Sequence, residues 1–369
     1  MTEQKRIFKS IDIAGRRIDN PVLLAPMEGI TDLPFRLICK EMGADIVFSE
    51  FIASEALIRD AKKSLAKMVF AESERPVAVQ IFGNNAYAMS EAAKIVEAAG
   101  VDILDLNFGC WVRRVVNHES GAALLKDPDR MCEITKAVVD AVKIPVTVKT
   151  RLGWSPESKI IPELAPRLEQ TGIKMLSLHC RTRDMGMRGN ADWSYIEKVK
   201  ENINIPLILN GDVRTAADAV RAFETTPCDG IMIGRAIVGY PFLFREVRQA
   251  LDFSGSGEAP LIGERIQTCL RHLELSVQHD GYPKGMYEFR KHYSGYLKGL
   301  YNASSVRQRL VLMESLEEIK DTLLTYLEQL IQWEKEKPVS NSQVQVINED
   351  MIETECAEEN FSCASDNLQ

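Results

Sequence analysis

The sequence predicts an α/β protein: a (β/α)8 TIM barrel followed by a C-terminal helical domain and a disordered acidic tail. Between residues 21 and 251, eight short β-branched runs alternate with longer amphipathic segments, which is the pattern of a parallel sheet with helical crossovers. Several of these runs also end in a polar residue. No G-x-G-x-x-G motif follows the first run, which disfavours the dinucleotide-binding form of the rival architecture, an open doubly wound sheet.

The predicted strands are residues 22–24, 46–49, 77–81, 103–107, 146–149, 175–179, 207–210 and 231–233. Helices are predicted between them, for example over residues 86–99, 131–142 and 216–225, because apolar residues recur there at helical spacing. Eight strands, each followed by a helix, is the number that closes a barrel.

Side-chain alternation along the predicted strands separates an apolar set from a polar set. In the fourth strand Leu104 and Leu106 share one face, and Asp105 and Asn107 share the other. The apolar set suits packing against the outer helices. The polar set reaches the C-terminal strand ends at Gln80, Asn107, Lys149, His179 and Asn210. Each residue alone could be a hydrogen-bonded core group, but together they predict a site, since barrel active sites lie at that end.

Composition divides the chain into three parts. Residues 1–252 form the predicted barrel, and a turn-rich linker follows at residues 253–260. Residues 261–334 form the predicted helical domain, with helices over 266–278, 285–297, 304–313 and 315–333. Residues 335–369 are rich in Ser, Asn, Gln and Glu without periodicity, which predicts disorder.

The charge distribution leaves an RNA partner possible. From Glu334 onwards nine acidic residues stand against two basic ones, so most of the net charge of −8 lies in the tail. Residues 262–313 carry eight Lys or Arg against four Asp or Glu. The acidity of the whole chain therefore does not exclude nucleic acid.

Several protein classes are disfavoured by composition. No apolar run approaches the ~20 residues of a membrane helix, and the N-terminus has no apolar segment typical of a signal peptide. The eight cysteines include no C-x-x-C pair, which argues against zinc, iron–sulfur and disulfide frameworks. We expect a cytoplasmic monomer without a membrane or metal partner.

Two glycine-containing strand ends predict a phosphate site. Asn210-Gly211-Asp212 ends the seventh strand, and Gly234-Arg235 ends the eighth. Glycines let backbone N–H groups approach a phosphate, and arginine adds a charge-assisted hydrogen bond. TIM barrels bind phosphate at these two loops. For either pair alone, a simple tight turn remains the alternative.

Lys149 and Cys110 are the candidate reactive groups. A lysine pointing into a barrel needs an anion or an electron-rich ring, and beside a flavin it would stabilise negative charge on the reduced ring. Its alternative is a buried ion pair with Asp105. Cys110 lies in a loop just beyond Asn107, where a thiol can act as a general acid.

Arginines gather in the loops at the same predicted end. They are Arg113, Arg114, Arg151, Arg181, Arg183 and Arg188. Such a run is often only a solvated face. Its position at the barrel mouth predicts a basic rim and an anionic polymer as partner.

These segments together resemble the tRNA-dihydrouridine synthase family, FMN-dependent enzymes that reduce uridine in tRNA, and among them the bacterial B-type branch most. The resemblance spans roughly residues 11–330. Its motifs are A-P-M-E-G-I-T-D-L-P-F-R (25–36), Q-I-F-G (80–83), N-F-G-C (107–110), G-A-A-L-L (121–125), V-K-T-R-L-G-W (148–154), H-C-R-T-R (179–183), N-G-D (210–212), I-G-R (233–235) and R-K-H-Y-S-G-Y-L-K-G-L (290–300).

The resemblance implies roles for individual residues. FMN would be bound by Pro26, Met27, Glu28, Gln80, Lys149, His179, Asn210, Gly211, Asp212, Gly234 and Arg235. The substrate would be bound by Asn107, Arg151, Arg181 and Arg183. NADPH would reduce FMN, and flavin N5 would deliver hydride to C6 of a uracil drawn out of the tRNA fold while Cys110 protonates C5. A catalytically impaired RNA-binding homologue and an FMN reductase of a free small molecule are the alternatives.

One residue departs from the family's pattern. Proline usually follows the catalytic cysteine in that family, and Trp111 stands at this position. Proline would fix φ near −65°, so neither the conformation of the loop nor its closure over the substrate follows from the resemblance. Trp111 either stacks on a base of the RNA or packs against Val112 or Val115 of its own loop.

Overall fold

The structure is a computed structural model that describes residues 8–253 and 257–336. Its strands are β1 (Ser10–Ile13), β2 (Arg16–Asp19), β3 (Val22–Leu24), β4 (Val47–Phe48), β5 (Ile52–Ala53), β6 (Val77–Phe82), β7 (Ile103–Asn107), β8 (Val146–Arg151), β9 (Met175–His179), β10 (Leu207–Asn210) and β11 (Gly230–Ile233). The order β3-β11-β10-β9-β8-β7-β6-β4 is parallel throughout, and a bridge between Leu23 and Ile46 brings its two ends together. The predicted TIM barrel is confirmed.

The α-helices are α1 (Leu33–Glu41), α2 (Ser54–Leu57), α3 (Lys62–Ala66), α4 (Ala86–Ala98), α5 (Arg113–Asn117), α6 (Pro128–Ala141), α7 (Ile161–Gln170), α8 (Ser194–Lys200), α9 (Ala216–Thr225), α10 (Leu243–Asp252), α11 (Ile262–Asp280), α12 (Lys284–Phe289), α13 (Tyr293–Tyr296), α14 (Ala303–Leu310) and α15 (Leu316–Glu336). Among the described residues, no helix combines the length and the apolar character needed to cross a bilayer.

Two predictions about the C-terminal part need correction. The helix predicted over 285–297 is divided into α12 and α13 by a 3₁₀ turn at Arg290–His292. Residues 335 and 336, which the prediction assigns to the tail, are helical, because α15 continues through Glu336. Glu and Lys are good helix formers, and the first residue that opposes a helix is Pro338. The disorder predicted for the tail concerns residues 337–369, which lie outside the described residues.

The predicted alternation of side chains corresponds to two separate apolar cores. Leu104 and Leu106 belong to the larger core, which lies between the strands and the outer helices. Ile208 and Met232 belong to a smaller core inside the barrel. The outward apolar face is therefore confirmed, and the inward face carries both apolar and polar side chains.

The hairpin β1–β2 is absent from the sequence-based prediction. Its turn uses positive φ at Ala14 and Gly15, as a tight hairpin of this kind requires. Ile11 and Ile13 pack with the core inside the barrel, together with Ile18. The hairpin thus covers the end of the barrel opposite to the polar strand ends.

The helical region packs directly on the barrel at two glycines. A Cβ atom placed on Gly239 would lie 2.2 Å from the carbonyl oxygen of His292, and one placed on Gly295 would lie 2.1 Å from that of Val238. The two backbones are therefore in contact, with no room for a side chain. The described residues up to Leu327 form one compact unit. The boundaries at residues 252 and 261 stay predictions.

Two buried histidines lie where α11 and α13 meet α1. The rings of His272 and His292 have centroids 4.5 Å apart; His272 stacks on Phe35, and His292 contacts the same ring at a tilt of 40°. Nδ1 of His272 lies 3.2 Å from the hydroxyl of Tyr296, whereas His292 Nδ1 finds no partner among the described residues. Burial lowers the pKa of His272 to about 3 and holds that of His292 well below its ordinary value. Both rings are therefore neutral in the folded protein.

Replacing His292 by phenylalanine is expected to reduce the acid sensitivity of the fold. The unfolded chain takes up a proton at each histidine below about pH 6.5, so the stability associated with a neutral buried ring is lost as the pH falls. Between pH 8 and pH 5 the unfolding free energy of the variant should rise by about 2 kcal/mol relative to the wild type. Urea denaturation at both pH values measures this, and the exposed His279, replaced by glutamine, should behave as wild type. Parallel pH dependence of the His292 variant and wild type would contradict the prediction.

Candidate active site

The parallel register brings the predicted polar strand ends together at one end of the barrel. Gln80 pairs with Asp105 across β6 and β7, and Asn107 pairs with Lys149 across β7 and β8. His179 and Asn210 are paired across β9 and β10. Because neighbouring parallel strands end side by side, the polar residues of five consecutive barrel strands form a continuous rim around the mouth.

Three side chains inside the barrel form a chain of hydrogen bonds that we call the amide relay: Asp105, Gln80 and Asn107. Gln80 Nε2 donates to Asp105 Oδ2 at 2.5 Å, and Asn107 Nδ2 donates to Gln80 Oε1 at 2.8 Å. The hydroxyl of Thr147 donates to the other oxygen of Asp105. All four side chains are buried, so their hydrogen bonds form away from water.

The amide relay ends at the loop that carries Cys110. Asn107 Oδ1 accepts the backbone N–H groups of Gly109 at 3.0 Å and of Cys110 at 2.9 Å. The carbonyl of Cys110 accepts the N–H of Ala122 at 3.0 Å. Burial raises the pKa of the Cys110 thiol. The group is therefore a protonated thiol at neutral pH, which suits a proton donor better than a nucleophile.

Lys149 does not form the ion pair with Asp105 that the sequence offered as an alternative. Its Nζ donates to Asn210 Oδ1 at 3.0 Å, and Asn210 Nδ2 donates in turn to the carbonyl of Met232 at 2.8 Å. The carboxylate of Asp105 already accepts the two hydrogen bonds described above. Burial, and next the charge of Arg151, lower the pKa of Lys149 to about 8, while burial raises the pKa of Asp105 to about 6.

Gly121 packs against Cys110, a contact that the sequence-based prediction does not include. Gly121 has a φ of +60°, and a Cβ atom there would lie 2.9 Å from the carbonyl oxygen of Cys110 and 3.2 Å from its Cβ. Gly100 also has positive φ, at +79°, but has open space around it. Substitutions at the two glycines can therefore be compared: both introduce backbone strain, but only the one at Gly121 also introduces crowding.

Gly121→Ala should therefore destabilise the protein more than Gly100→Ala. Both substitutions place an L-residue in the left-handed region, at about 1–2 kcal/mol. Only the first also crowds the Cys110 backbone and the side chain of Val115, each 2.9 Å from the added Cβ atom, which adds about 1–3 kcal/mol. Chemical denaturation of both variants measures the difference, and equal losses would show that the close packing of Gly121 has no energetic consequence.

Trp111 packs against a neighbouring loop. A Cβ atom on Gly186 would lie 3.4 Å from the indole ring, so the half-buried ring covers the backbone at this glycine. The carbonyl of Gly186 also accepts a hydrogen bond from Arg151 at 2.9 Å. The tryptophan therefore joins the Cys110 loop to the loop after β9. Its stacking on an RNA base stays a prediction.

The predicted basic rim is wrong for Arg151 and Arg181, which are buried. Arg151 donates to the carbonyls of Gly109 at 2.8 Å and Thr182 at 3.0 Å, and Arg181 donates to both carboxylate oxygens of Asp212 at 2.8 and 2.7 Å. Both guanidinium groups hold loops together, because a buried charge needs such partners. Arg113, Arg114 and Arg188 are exposed, as predicted.

The exposure of Arg183 is intermediate between that of the buried and that of the exposed arginines. Its side chain is 23% exposed and its guanidinium carbon lies 4.5 Å from the centroid of the Trp154 ring. Lys126 Nζ lies 3.6 Å from the same centroid. Two cations thus contact one tryptophan next to the barrel mouth, a cation–π arrangement that fixes the position of both side chains.

The glycines of the predicted phosphate site follow adjacent strands. β10 and β11 are paired with Asn210 opposite Met232, so Gly211 and Gly234 both follow at the mouth, one residue apart in register. The buried imidazole of His179 lies near Arg151, Lys149, Arg181 and Arg235. Burial first, and these positive charges next, hold the pKa of His179 well below its ordinary value. The excess of cations around a neutral imidazole fits an anionic group such as a phosphate.

Pro26, Met27 and Glu28 follow β3, which pairs with β11. A Cβ atom on Gly234 would lie 3.8 Å from the sulfur of Met27, so this loop borders the same glycine. Glu28 forms an ion pair with Lys67 at 2.6 Å, and burial raises the pKa of its carboxyl group. All the residues predicted to bind the cofactor thus lie in the strands and loops at one end of the barrel.

Within residues 8–253 and 257–336, no group of three or more His, Cys, Asp or Glu side chains is arranged to hold a metal ion.

Comparison with known proteins identifies relatives along most of the chain. The family model "Dihydrouridine synthase (Dus)" matches residues 23–332. The chain is 39% identical over 322 residues to a probable tRNA-dihydrouridine synthase of Rickettsia bellii, covering 87% of this chain and 99% of the relative. It is 38% identical over 320 residues to tRNA-dihydrouridine synthase B of Proteus vulgaris, covering 86% and 99%. Histamine dehydrogenase from Rhizobium sp. 4-9 shares the fold, with a TM-score of 0.52 at 13% identity over 88% of this chain and 64% of that structure.

Proposed function

The chain belongs to the dihydrouridine synthase family, and on that premise we propose that it reduces uridines in tRNA to 5,6-dihydrouridine, with FMN as cofactor and NADPH as reductant. The resemblance inferred from the motifs is thereby confirmed. The proposal rests on the arrangement at the mouth of the barrel. Cys110 is a protonated thiol there, and its backbone N–H donates a hydrogen bond to Asn107. The neighbouring strand ends carry several positive charges.

The glycines and positively charged side chains at these strand ends fit FMN. Its phosphate would be held by the backbone at Gly211 and Gly234 and by Arg235, and its ring would face Gln80 and Lys149. Bound FMN, once reduced by NADPH, supplies the hydride that adds to C6 of the uracil. Lys149 is available as a cation for the electron-rich side of the ring, since no carboxylate of the described residues pairs with it and its Nζ donates to the amide oxygen of Asn210.

Cys110 completes the reduction by giving its proton to C5. The C5=C6 double bond then becomes a single bond, with one hydride at C6 and one proton at C5, and the thiolate left behind is reprotonated from solvent. Arg151 and Lys149 lower the cost of forming that thiolate, because their positive charges act on the pKa of Cys110 against the effect of burial. Asn107 keeps the thiol in place through its contact with the backbone of the loop.

The tRNA would be held by exposed cations around the mouth and by the helical region. Arg113, Arg114 and Arg188 are exposed at the mouth, and residues 262–313 carry an excess of basic side chains. Because C5 and C6 of a stacked uracil are covered by its neighbours, the base has to leave the stack to reach Cys110. Arg151 and Arg181 would act on the substrate through the loops that they hold, and Arg183 would contact it directly.

An anaerobic flavin experiment tests the proposal. The purified protein is reduced with NADPH, unmodified tRNA is added, and flavin oxidation is followed while dihydrouridine is mapped by mass spectrometry. Rapid oxidation with a mapped product is the expected result, and fully modified tRNA is the control that should leave the flavin reduced. A flavin that NADPH reduces but tRNA does not oxidise would favour a small-molecule reductase. A protein that binds tRNA but takes up no FMN would favour a catalytically silent RNA-binding homologue.

A further inference from the structure

We propose that Asp105 is a positioning residue: its carboxylate sets the direction of the amide relay and so holds the loop that carries Cys110. Its catalytic consequence rests on the function proposed above. The contacts that carry the inference are those of three buried side chains, which link Asp105 to the backbone N–H of Cys110 through Gln80 and Asn107.

The direction of the relay follows from the chemistry of its first member. An ionised carboxylate only accepts hydrogen bonds, so Gln80 has to turn its NH2 group towards Asp105. Gln80 then presents its oxygen to Asn107, which must turn its own NH2 group towards Gln80. The oxygen of Asn107 is left facing the loop, where it accepts two backbone N–H groups.

A neutral residue at position 105 would not fix this direction. Asparagine has both a donor and an acceptor, so it could pair with either orientation of Gln80. In the reversed orientation, the NH2 group of Asn107 would face the N–H groups of Gly109 and Cys110, donor against donor. The loop would lose its anchor, although each side chain keeps almost the same shape.

The second partner of Asp105 does not supply the direction. The hydroxyl of Thr147 donates to Asp105, but a hydroxyl rotates and can equally accept. No lysine or arginine is paired with Asp105 within ion-pair distance among the described residues, since Lys149 donates to Asn210 instead. Burial outweighs the opposing effect of the Lys149 charge on the pKa of Asp105, so a carboxylate is an unfavourable choice at this position. Its use here, where an amide of the same shape would fit, indicates that an acceptor without a donor is what the position requires.

The test measures the accessibility of Cys110 by alkylation. Iodoacetamide is added to the full-length protein as purified, at pH 8, where Asp105 is ionised because its pKa is about 6. Mass spectrometry follows the Cys110 peptide, with Cys132 of the same molecule as internal reference. Asp105→Asn should accelerate alkylation of Cys110 about fivefold or more, the factor that corresponds to losing one hydrogen bond.

Two further variants separate positioning from simple loss of buried polarity. Thr147→Val removes a hydrogen bond from the same carboxylate but leaves the amides of Gln80 and Asn107 in their orientation. Alkylation of Cys110 should therefore stay within about twofold of the wild-type rate. The exchange variant Asp105→Asn with Gln80→Glu moves the carboxylate one place along the relay. Both amides then donate to the carboxylate now at position 80, the oxygen of Asn107 again faces the loop, and slow alkylation should return.

The proposal is overturned if Asp105→Asn is alkylated like the wild type, if Thr147→Val is accelerated equally, or if the exchange variant is no slower than Asp105→Asn. Should Asp105→Asn fail to fold, the exchange variant alone decides: wild-type alkylation supports the relay, and acceleration rejects it. None of these rates depends on tRNA or NADPH. A failure of the proposed function therefore shows in the flavin experiment alone, and a failure of the relay shows in the alkylation rates.

Discussion

Replacing Cys110 by alanine is expected to slow the oxidation of the reduced flavin by tRNA about 10²–10⁴-fold, the range that general acid catalysis contributes. Burial favours the protonated form of this thiol, and the hydrogen bond from the Cys110 backbone N–H to Asn107 holds the loop in place. In the proposed reaction, reduction of the flavin by NADPH requires no proton at uracil C5. That half-reaction should therefore keep its rate.

A second cysteine provides the control. Cys132 lies in α6, is half-buried like Cys110, and packs against the core between the strands and the outer helices. Cys132→Ala should react with tRNA at the wild-type rate. Stopped-flow absorbance of the flavin measures both half-reactions in both variants. If Cys110→Ala oxidises within about tenfold of the wild type, the thiol is not the proton donor and another group or water must supply the proton.

Arg36→Met is expected to lower the unfolding free energy by about 3–5 kcal/mol, because it leaves a buried carboxylate without its cation. Arg36 Nε donates to Glu74 Oε1 at 2.7 Å, and both side chains are almost fully buried. The remaining guanidinium nitrogens donate to the carbonyls of Thr31 at 2.9 Å and Val69 at 2.8 Å. The arginine therefore joins the segment before α1 to the segment that precedes β6.

The loss comes from the unpaired charge, and two variants distinguish this from lost packing. Adding Glu74→Gln to Arg36→Met removes the buried charge and should recover part of the stability. Lys94→Met breaks an ion pair of similar length at the surface, Lys94 with Glu91 at 2.6 Å, and should leave the urea midpoint close to that of the wild type. Equal losses for Arg36→Met and the double variant would contradict the explanation.

The barrel could be predicted from sequence because its signal repeats. A strand with one face towards helices and one towards the barrel interior alternates with a period of two, and the polar ends then lie at one rim. The hairpin β1–β2 gave no such repetition. Its two strands of four residues carry only three buried isoleucines, which is too little pattern to separate from a loop.

The site could be predicted as a set of residues but not as a set of contacts. Sequence places Asp105 and Lys149 on the inner face, and their opposite charges suggest an ion pair. The structure instead pairs each with an amide, since geometry across strands decides which neighbour is in reach. The burial of Arg151 could also have been predicted from the sequence. It lies two residues beyond Lys149, so an extended β8 turns it towards the same interior, where it is buried.

The contact between Gly239 and Gly295 limits how the chain can be recombined. A chimera that joined this barrel to the helical segment of another protein would need a hydrogen in place of a side chain at both positions, and the same approach of the two backbones. If the two sequences were joined in the linker at residues 253–260, Gly239 would come from one parent protein and Gly295 from the other. To change RNA specificity by exchanging segments, the donor sequence therefore has to begin before Gly239, so that the last barrel loop is inherited together with the helices that rest on it.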